Sequence, residues 1–468
     1  MAAFFLAIIP AVFAAFPLFG SRFIPTHDGE YHIIRFWQFY KGLASGNWFP
    51  RWAPDLNNGY GIPLFTFNYP FPNYVGSLFH ALGLSFVDSV KWTLASGYLL
   101  AIGFCFFWLR KVFGTKPATY GTIVGAFVPY WFVDLYVRGS VGEIWALAWV
   151  FGSLAAIAYG NGMWLTITVG LLIISHNILA LIFVPVLLIY VLLYKRALWI
   201  SVLLGIGSAS FFWIPALYEQ RFITGISPVN VFDHFPAVYQ LLIPSWGTEF
   251  RGATGGGNEM SYQIGIVPFV VLLLALREKK YRFFVLISLF AVYMMLPWSM
   301  WLWKLLPFTH MIQYPWRILS IIVIATPVLA ARTKFAWIFA VLAVFFAYGY
   351  IRPVTYEPRS DAYYLSQESF TKGTNSLGNA FQTIWMKPGT GVYTAPVAYY
   401  PGWKASIDGK IVNVLPSETG LLSFPVPEGD HDIRTWLTNT WWQTAAGIMS
   451  ILSLFTLLVS FILKKRQT

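Results

Sequence analysis

Long apolar runs broken by short polar or basic stretches set the pattern of this chain. They fall near residues 2–20, 90–109, 118–135, 143–159, 163–175, 178–194, 198–217, 263–276, 283–297, 317–331, 335–350 and 441–463. A helix rises about 1.5 Å per residue, so roughly 17–25 apolar residues cross a hydrocarbon core of about 30 Å. Several runs reach that length and a few fall short of it. The pattern predicts an α-helical polytopic membrane protein with about 12 transmembrane helices. A different rhythm begins at 352. In VYTAPVAYY, WKASI, KIVNVL, LLSFPVP and DIRTWL, short alternating segments are separated by Pro401-Gly402, Asp408-Gly409 and Glu428-Gly429. Asp-Gly between alternating apolar segments is a hairpin signal, so 352–440 reads as a small β-sandwich-like domain. Three parts follow: a transmembrane module over 1–351 with loops at 21–89 and 218–262, the β-rich domain at 352–440, and a last helix with a basic tail at 441–468.

Composition agrees with the pattern. Of 468 residues, 57% are hydrophobic and 11% charged, against roughly a quarter charged in soluble domains. The 22 tryptophans suit a protein with many interfacial anchors. Cys105 is the single cysteine and lies in an apolar run, which excludes a disulfide framework or a thiolate metal site. The first run lacks the basic leader of a cleaved signal peptide, so it reads as a retained helix.

A net charge of +12 would fit a nucleic-acid partner, but its distribution does not. Threaded alternately from an inside N-terminus, the short inner loops collect Arg110, Lys111, Lys116, Lys195, Arg196, Arg277, Lys279, Lys280, Arg282, Arg332, Lys334, Lys464, Lys465 and Arg466. That is fourteen of the 31 basic residues, joined by one acid, Glu278, as the positive-inside rule expects. Both termini are then cytoplasmic in a plasma-membrane protein, and the loops at 21–89, 218–262 and 352–440 are extracytoplasmic.

On the outer side, ionisable residues crowd the ends of the spans. His27, Asp28, Glu30, His32 and Arg35 lie within nine residues, and a helix starting at Asp28 would put Asp28, His32 and Arg35 on one face. Phe49-Pro50-Arg51-Trp52 and Asn57 to Pro63 form a stretch too rigid for a linker, expected on the bilayer surface lining a cavity. Asp134, Arg138 and Glu143 mark the mouth of two adjacent spans. Ser175-His176-Asn177 follow an apolar run of about 12 residues that rises only about 18 Å, so they sit within the membrane's depth, where non-helical polar backbone faces protein or a watery cavity. Asn177 could instead simply cap a helix. Gln313, Pro315, Trp316 and Arg317 lead into a later span. A solvated loop, a turn-closing ion pair or a snorkelling arginine would explain any one group alone. All of them fall on one face, which favours a cavity there.

These motifs resemble the membrane proteins related to 6-pyruvoyl-tetrahydropterin synthase, which belong with the C-type (GT-C) glycosyltransferase superfamily. The matching pieces are His27-Asp28-Gly29 with His32, Pro50 to Pro63, Tyr136-x-Arg138-Gly139 with Glu143, Ser175-His176-Asn177, and Gln313-x-Pro315-Trp316-Arg317. Tyr400-Pro401-Gly402-Trp403 to Asp408-Gly409 is similar to the outer domain of related membrane proteins linked to teichoic acid glycosylation. The resemblance implies a GT-C-like fold, a polyprenyl-phosphate sugar donor and a catalytic acid at Asp28. Many superfamily members carry two adjacent acids there, whereas here Gly29 separates Asp28 from Glu30.

The expected reaction is inverting transfer of a sugar from the lipid phosphate to a glycan, lipid or protein acceptor. Asp28, Glu30 and His32 are the catalytic candidates. Arg51, Arg138, Arg251 and Arg317 are expected on the donor phosphate, through the bidentate bonds a guanidinium makes. His27, Arg35, Glu143, His176, Asn177 and Gln313 are expected to line the cavity. No cofactor is required if the arginines supply the positive charge; the alternative is Mn2+ or Mg2+ held by Asp28, His32 and Glu143. Two other classes fit a many-span protein with a polar cavity: a flippase for a lipid-linked sugar, and a scaffold with a glycan-binding outer domain.

Overall fold

The computed structural model describes residues 2–20, 22–225, 231–249, 258–306, 309–366, 381–385, 396–426 and 431–466. Helix α1 (Ala2–Ala15) runs on through a 3-10 turn to Phe19, and α2 (Gly29–Ala44) follows it. Next come α3 (Phe86–Phe113), α4 (Val141–Tyr159), α5 (Gly162–Ser175), α6 (Asn177–Tyr194), α7 (Ser210–Tyr218), α8 (Leu319–Ala331) and α9 (Trp441–Arg466). By length and composition, five helices can cross a membrane: Ala2–Phe19, Phe86–Phe113, Val141–Tyr159, Asn177–Tyr194 and Trp441–Leu463. Two bent pairs, Arg196–Ser208 with Ser210–Phe222 (59°) and Lys279–Met294 with Pro297–Leu305 (93°), raise this to seven if each is one span.

Among the described residues, length and composition thus qualify five to seven crossings where twelve were expected, and the reasons are local. The run 118–135 stops being α-helical at Ala126, before Pro129, since a residue preceding proline is pushed out of the helical region. The run 198–217 bends at Ala209, and 283–297 ends where Pro297 starts a new turn. Four further apolar helices have 10–17 residues: Gly162–Ser175, Ile266–Ala275, Pro315–Ala331 and Ala336–Tyr350. At about 1.5 Å per residue the three shortest fall short of a full crossing unless extended by neighbouring segments inside the protein, while Pro315–Ala331 is at the lower limit.

Helix α4 is the axis of the bundle: 94% of its apolar window is buried, against 11% for α9. The flanking helices approach closely at small residues. A Cβ at Gly121 would stand 2.6 Å from that of Ala331, and one at Gly205 2.6 Å from that of Val169. Tight backbone approach of this kind replaces the hydrophobic driving force that lipid does not provide.

Within the later region, β1 (Trp403–Ile407), β2 (Lys410–Val412) and β5 (Ile433–Leu437) form an antiparallel sheet in the order β2-β1-β5. A second ladder joins β3 (Leu415–Pro416) to β4 (Leu422–Ser423). The β1–β2 hairpin turns at Asp408 and Gly409, whose φ values of +51° and +78° suit an Asp-Gly turn. Ala405, Ile407, Leu422 and Phe424 form a shared small core, so two short sheets face each other. Of the VYTAPVAYY segment, residues 392–395 lie outside the described residues, and 396–400 form a single bridge, Ala398 to Leu421, rather than a strand.

This β region is fastened to the helices through Tyr60, Trp52 and Glu219. Ala398 N–H donates to the Tyr60 carbonyl at 2.8 Å. The Trp52 and Trp403 rings meet edge to face at 5.5 Å. Glu219 is fully buried, and its carboxylate accepts from Tyr400 Oη (2.6 Å), Trp442 Nε1 (2.7 Å) and Gln443 Nε2 (2.6 Å).

Candidate active site

Asp28 is positioned by the backbone around it. Thr26 Oγ1 accepts from Gly29 N–H at 3.0 Å, closing the turn that starts α2. His27 and Asp28 N–H groups donate to the carbonyls of Val137 (3.0 Å) and Arg138 (2.9 Å). The approach depends on Gly139, whose φ is +64° and whose absent Cβ would lie 2.1 Å from Thr26 Oγ1. Thus the His27-Asp28-Gly29 and Arg138-Gly139 motifs, over 100 residues apart, are one docked unit. The half-buried Asp28 side chain accepts no hydrogen bond and makes no ion pair among the described residues. It stands at the N-terminus of α2, where orphan N–H groups and the helix dipole favour an anion.

Next to it is a buried ionic cluster. The π-helical turn Val133–Arg138 brings Arg138 Nη1 to Asp134 Oδ1 at 2.5 Å, and Nη2 donates to Glu143 Oε1 at 2.7 Å. Tyr130 Oη donates to Glu143 Oε2 (2.8 Å) and accepts from Arg138 Nη1 (3.1 Å). Arg317 Nε lies 3.3 Å from Glu143 Oε1, while its Nη1 donates to Gln313 Oε1 (2.8 Å) and the Ile312 carbonyl (3.0 Å). Gln313 holds this position at φ +66°, a left-handed conformation that costs a non-glycine residue about 1–3 kcal/mol. The Arg138 guanidinium rests 4.5 Å from the Trp316 ring centroid.

His176 rather than Asn177 caps α6: its Nδ1 accepts from Leu179 N–H at 3.2 Å. Its Nε2 lies 3.9 Å from Glu143 Oε1. Asn177 instead donates to the Phe67 carbonyl at 3.0 Å. Tyr69 links the two halves of the site. Its ring fills the space left by the absent side chain of Gly142, stands 5.0 Å from the His176 ring, and feels the charges of Arg35, Asp28, Glu143 and Arg317. Burial raises the Tyr69 phenol well above its usual range, so it stays a neutral donor.

The residues picked from sequence divide into groups. Asp28, Arg35, Glu143, His176 and Arg317 surround Tyr69, Gln313 joins them through Arg317, and His32 lies near Arg35 and His176. His32 is buried, and burial with Arg35 and His176 alongside holds its imidazole well below the usual range; its Nε2 has no hydrogen-bond partner among the described residues. Arg35 is 8% exposed and makes no ion pair among the described residues. His27 reaches the Thr248 carbonyl from Nε2 at 2.5 Å, and burial lowers its basicity. Glu30 turns elsewhere: it faces Arg359 (3.8 Å), and burial and neighbouring Glu357 raise its carboxyl above the usual range. Arg51 lies near Glu219 and Tyr400. Arg251 lies outside the described residues.

Two expectations change. Arg138 was expected on the donor phosphate, but Asp134, Glu143 and Tyr130 already engage its fork, and it is 3% exposed. Glu143 was the third ligand of the alternative metal set, but Arg138 and Tyr130 hold its two oxygens. Among the described residues no group of three or more His, Cys, Asp or Glu side chains gathers closely enough to hold a metal. Tyr69, Tyr130 and Glu219 were not singled out from sequence. A lone tyrosine in an aromatic-rich chain carries no periodic or spacing signal, and Glu219 reads as an ordinary polar residue ending an apolar run.

No protein-family model and no curated protein matches the chain. Among solved structures it is similar to ArnT from Cupriavidus metallidurans bound to undecaprenyl phosphate, at 17% identity and a TM-score of 0.45, over 72% of this chain and 62% of that one. It is also similar to the Archaeoglobus fulgidus oligosaccharyltransferase in the apo form, at 14% identity and a TM-score of 0.44, over 81% of this chain and 56% of that one. The same enzyme in complex with zinc and sulfate gives 15% identity and a TM-score of 0.40, over 75% and 52%. The chain thus spans between 52% and 62% of the length of these proteins. The family resemblance rests on the sequence motifs alone.

Proposed function

We propose that this chain is a GT-C-type membrane glycosyltransferase that moves a sugar from a polyprenyl-phosphate donor to an acceptor hydroxyl at the outer face, with inversion. The observation that carries the reading is Asp28: a docked, half-buried carboxylate without a hydrogen-bond partner among the described residues, which shares the surroundings of Tyr69 with Arg35 of the same helix and Arg317 of another element. A spare carboxylate in such a place suits a general base. In the step, the acceptor oxygen attacks the anomeric carbon as Asp28 takes its proton. The bond from that carbon to the phosphate oxygen breaks, and the polyprenyl phosphate leaves with the electron pair. Arg35 and the Nη2 side of Arg317, which no hydrogen bond engages among the described residues, offer positive charge to the leaving phosphate. Arg138 acts through Glu143, holding the carboxylate that orients Arg317. One carboxylate base and one displacement give inversion; a second carboxylate nucleophile is not needed.

The test of donor class is direct. Purified protein should transfer label from a polyprenyl-phosphate sugar and not from the matching nucleotide sugar; the opposite preference would refute the reading. On the proposed mechanism the arginines carry the charge, so transfer after chelation is expected to equal transfer before it. Loss that Mn2+ or Mg2+ restores would place a cation in the site instead.

Sidedness has its own test. With Cys105 replaced by serine, cysteines at exposed Ser45 and Asn413 should react with an impermeant maleimide in intact cells, and one at Ala197 only after lysis. The reverse pattern would put the site on the cytoplasmic face.

A further inference from the structure

Tyr69 is fixed by its surroundings at both its backbone and its ring. Asn177 Nδ2 donates to the Phe67 carbonyl at 3.0 Å. Asn73 Nδ2 donates to Asn68 Oδ1 at 3.1 Å and to the Tyr69 carbonyl at 2.9 Å. The 67–69 segment is thereby tied to α6 on one side and to the helix Phe71–Ala81 on the other. At the ring, a Cβ at Gly142 would meet Tyr69 Cζ at 2.5 Å and Cε2 at 2.6 Å, so the phenol end packs against the first turn of α4. The side chain is therefore ordered before any ligand binds, as a preorganised hydrogen-bond donor must be.

The hydroxyl at the end of this fixed ring is unused. It has no hydrogen-bond partner among the described residues, and it is not sealed: Tyr69 and Asp28 stay partly exposed where Arg138, Glu143 and His176 are closed off. The charges around it are those of Arg35, Asp28, Glu143 and Arg317. Glu143 is already engaged by Arg138 and Tyr130. A guanidinium carries donors only; Arg35 makes no ion pair, and Nη2 of Arg317 no hydrogen bond, among the described residues. Three donors therefore share one place, and Asp28 is the open acceptor beside them among the described residues. Asp28 cannot serve all three and also take a proton. An acceptor from outside completes the set, and the two guanidinium groups make that acceptor an anion.

We propose that Tyr69 is a catalytic residue of the transfer, donating its O–H to a free oxygen of the donor phosphate alongside Arg35 and Arg317. The inference rests on the glycosyltransferase reading and deepens it. As the bond from the anomeric carbon to the phosphate oxygen breaks, the electron pair passes to the phosphate, which gains a second negative charge. The acceptor's proton goes to Asp28. The proton of Tyr69 stays on its own oxygen, because burial raises the phenol well above its usual range. Its hydrogen bond strengthens as the phosphate charge grows, so it favours the transition state over the bound donor.

Tyr69→Phe, measured by single-turnover transfer from a polyprenyl-phosphate sugar, tests this. Transfer should slow about thirtyfold, less than the loss of a lone oxyanion donor costs, because Arg35 and Arg317 remain. Affinity for a non-hydrolysable phosphonate donor should stay within about threefold. The melting temperature should not fall, since the hydroxyl has no partner in the protein to lose. Two phosphorothioate donors, each with sulfur in place of one free phosphate oxygen, locate the bond. Sulfur is a weak acceptor, so one of them should slow the parent protein about tenfold more than it slows Tyr69→Phe. Unchanged transfer by Tyr69→Phe would overturn the proposal, as would a lowered melting temperature or a loss of phosphonate affinity as large as the loss of transfer. Equal slowing of both proteins by each phosphorothioate would also overturn it, placing the hydroxyl on the sugar or the acceptor. No transfer by the parent protein from any lipid donor would instead overturn the glycosyltransferase reading, and this proposal with it.

Discussion

Asp28→Asn is expected to lower sugar transfer at least about a hundredfold, roughly 2.7 kcal/mol of transition-state stabilisation, while donor affinity stays within about twofold. The substitution keeps the shape of the side chain and leaves the docked backbone untouched, because Asp28 is held through its N–H on Arg138 rather than through its carboxylate. The ability to accept the acceptor's proton is lost. Donor binding, placed on Arg35 and Arg317, has no reason to change. Binding measured with a non-hydrolysable phosphonate donor and turnover measured with the native donor should therefore part company. A loss of both together would make Asp28 a binding residue, and loss of neither would move the base elsewhere.

Glu143→Gln is expected to fail differently, by destabilising the protein about 3–5 kcal/mol, the usual result of breaking a buried ionic network from one side. Glu143 is fully buried and meets Arg138 at 2.7 Å and Arg317 at 3.3 Å. The amide keeps the volume but leaves Arg138 to Asp134 alone and Arg317 without a facing carboxylate. Thermal unfolding in one detergent, with Asp28→Asn alongside, gives the contrast: a large drop in melting temperature for Glu143→Gln and little for Asp28→Asn. Equal melting temperatures with both variants inactive would make Glu143 a second catalytic acid.

Much of this arrangement was legible in the sequence, and the rest was hidden for physical reasons. The helix from Asp28, the short run ending at His176 and the Asp408-Gly409 hairpin follow from capping, length and turn chemistry, which are local. Partner choice is not local. Arg138 looked like a phosphate ligand because sequence places an arginine at a membrane mouth without saying that Asp134 is one turn behind it in a π-helical turn. Glu30 looked like the partner of Asp28 by proximity, yet two residues along a helix point about 200° apart, and it reaches Arg359 instead. The helices depart from the apolar runs where prolines 129 and 297 and the bend at Ala209 interrupt them, because hydropathy alone does not register a break. Glu219 was invisible because its three donors come from residues 400 to 443.

The central claim is that Asp28 serves as base for transfer from a lipid phosphate. It is tested most directly by single-turnover transfer of label from a polyprenyl-phosphate sugar, run in parallel with parent and Asp28→Asn protein. The account predicts product of inverted configuration from the parent and at least about a hundredfold less from the variant. Product of retained configuration, or equal yields from both proteins, would contradict it.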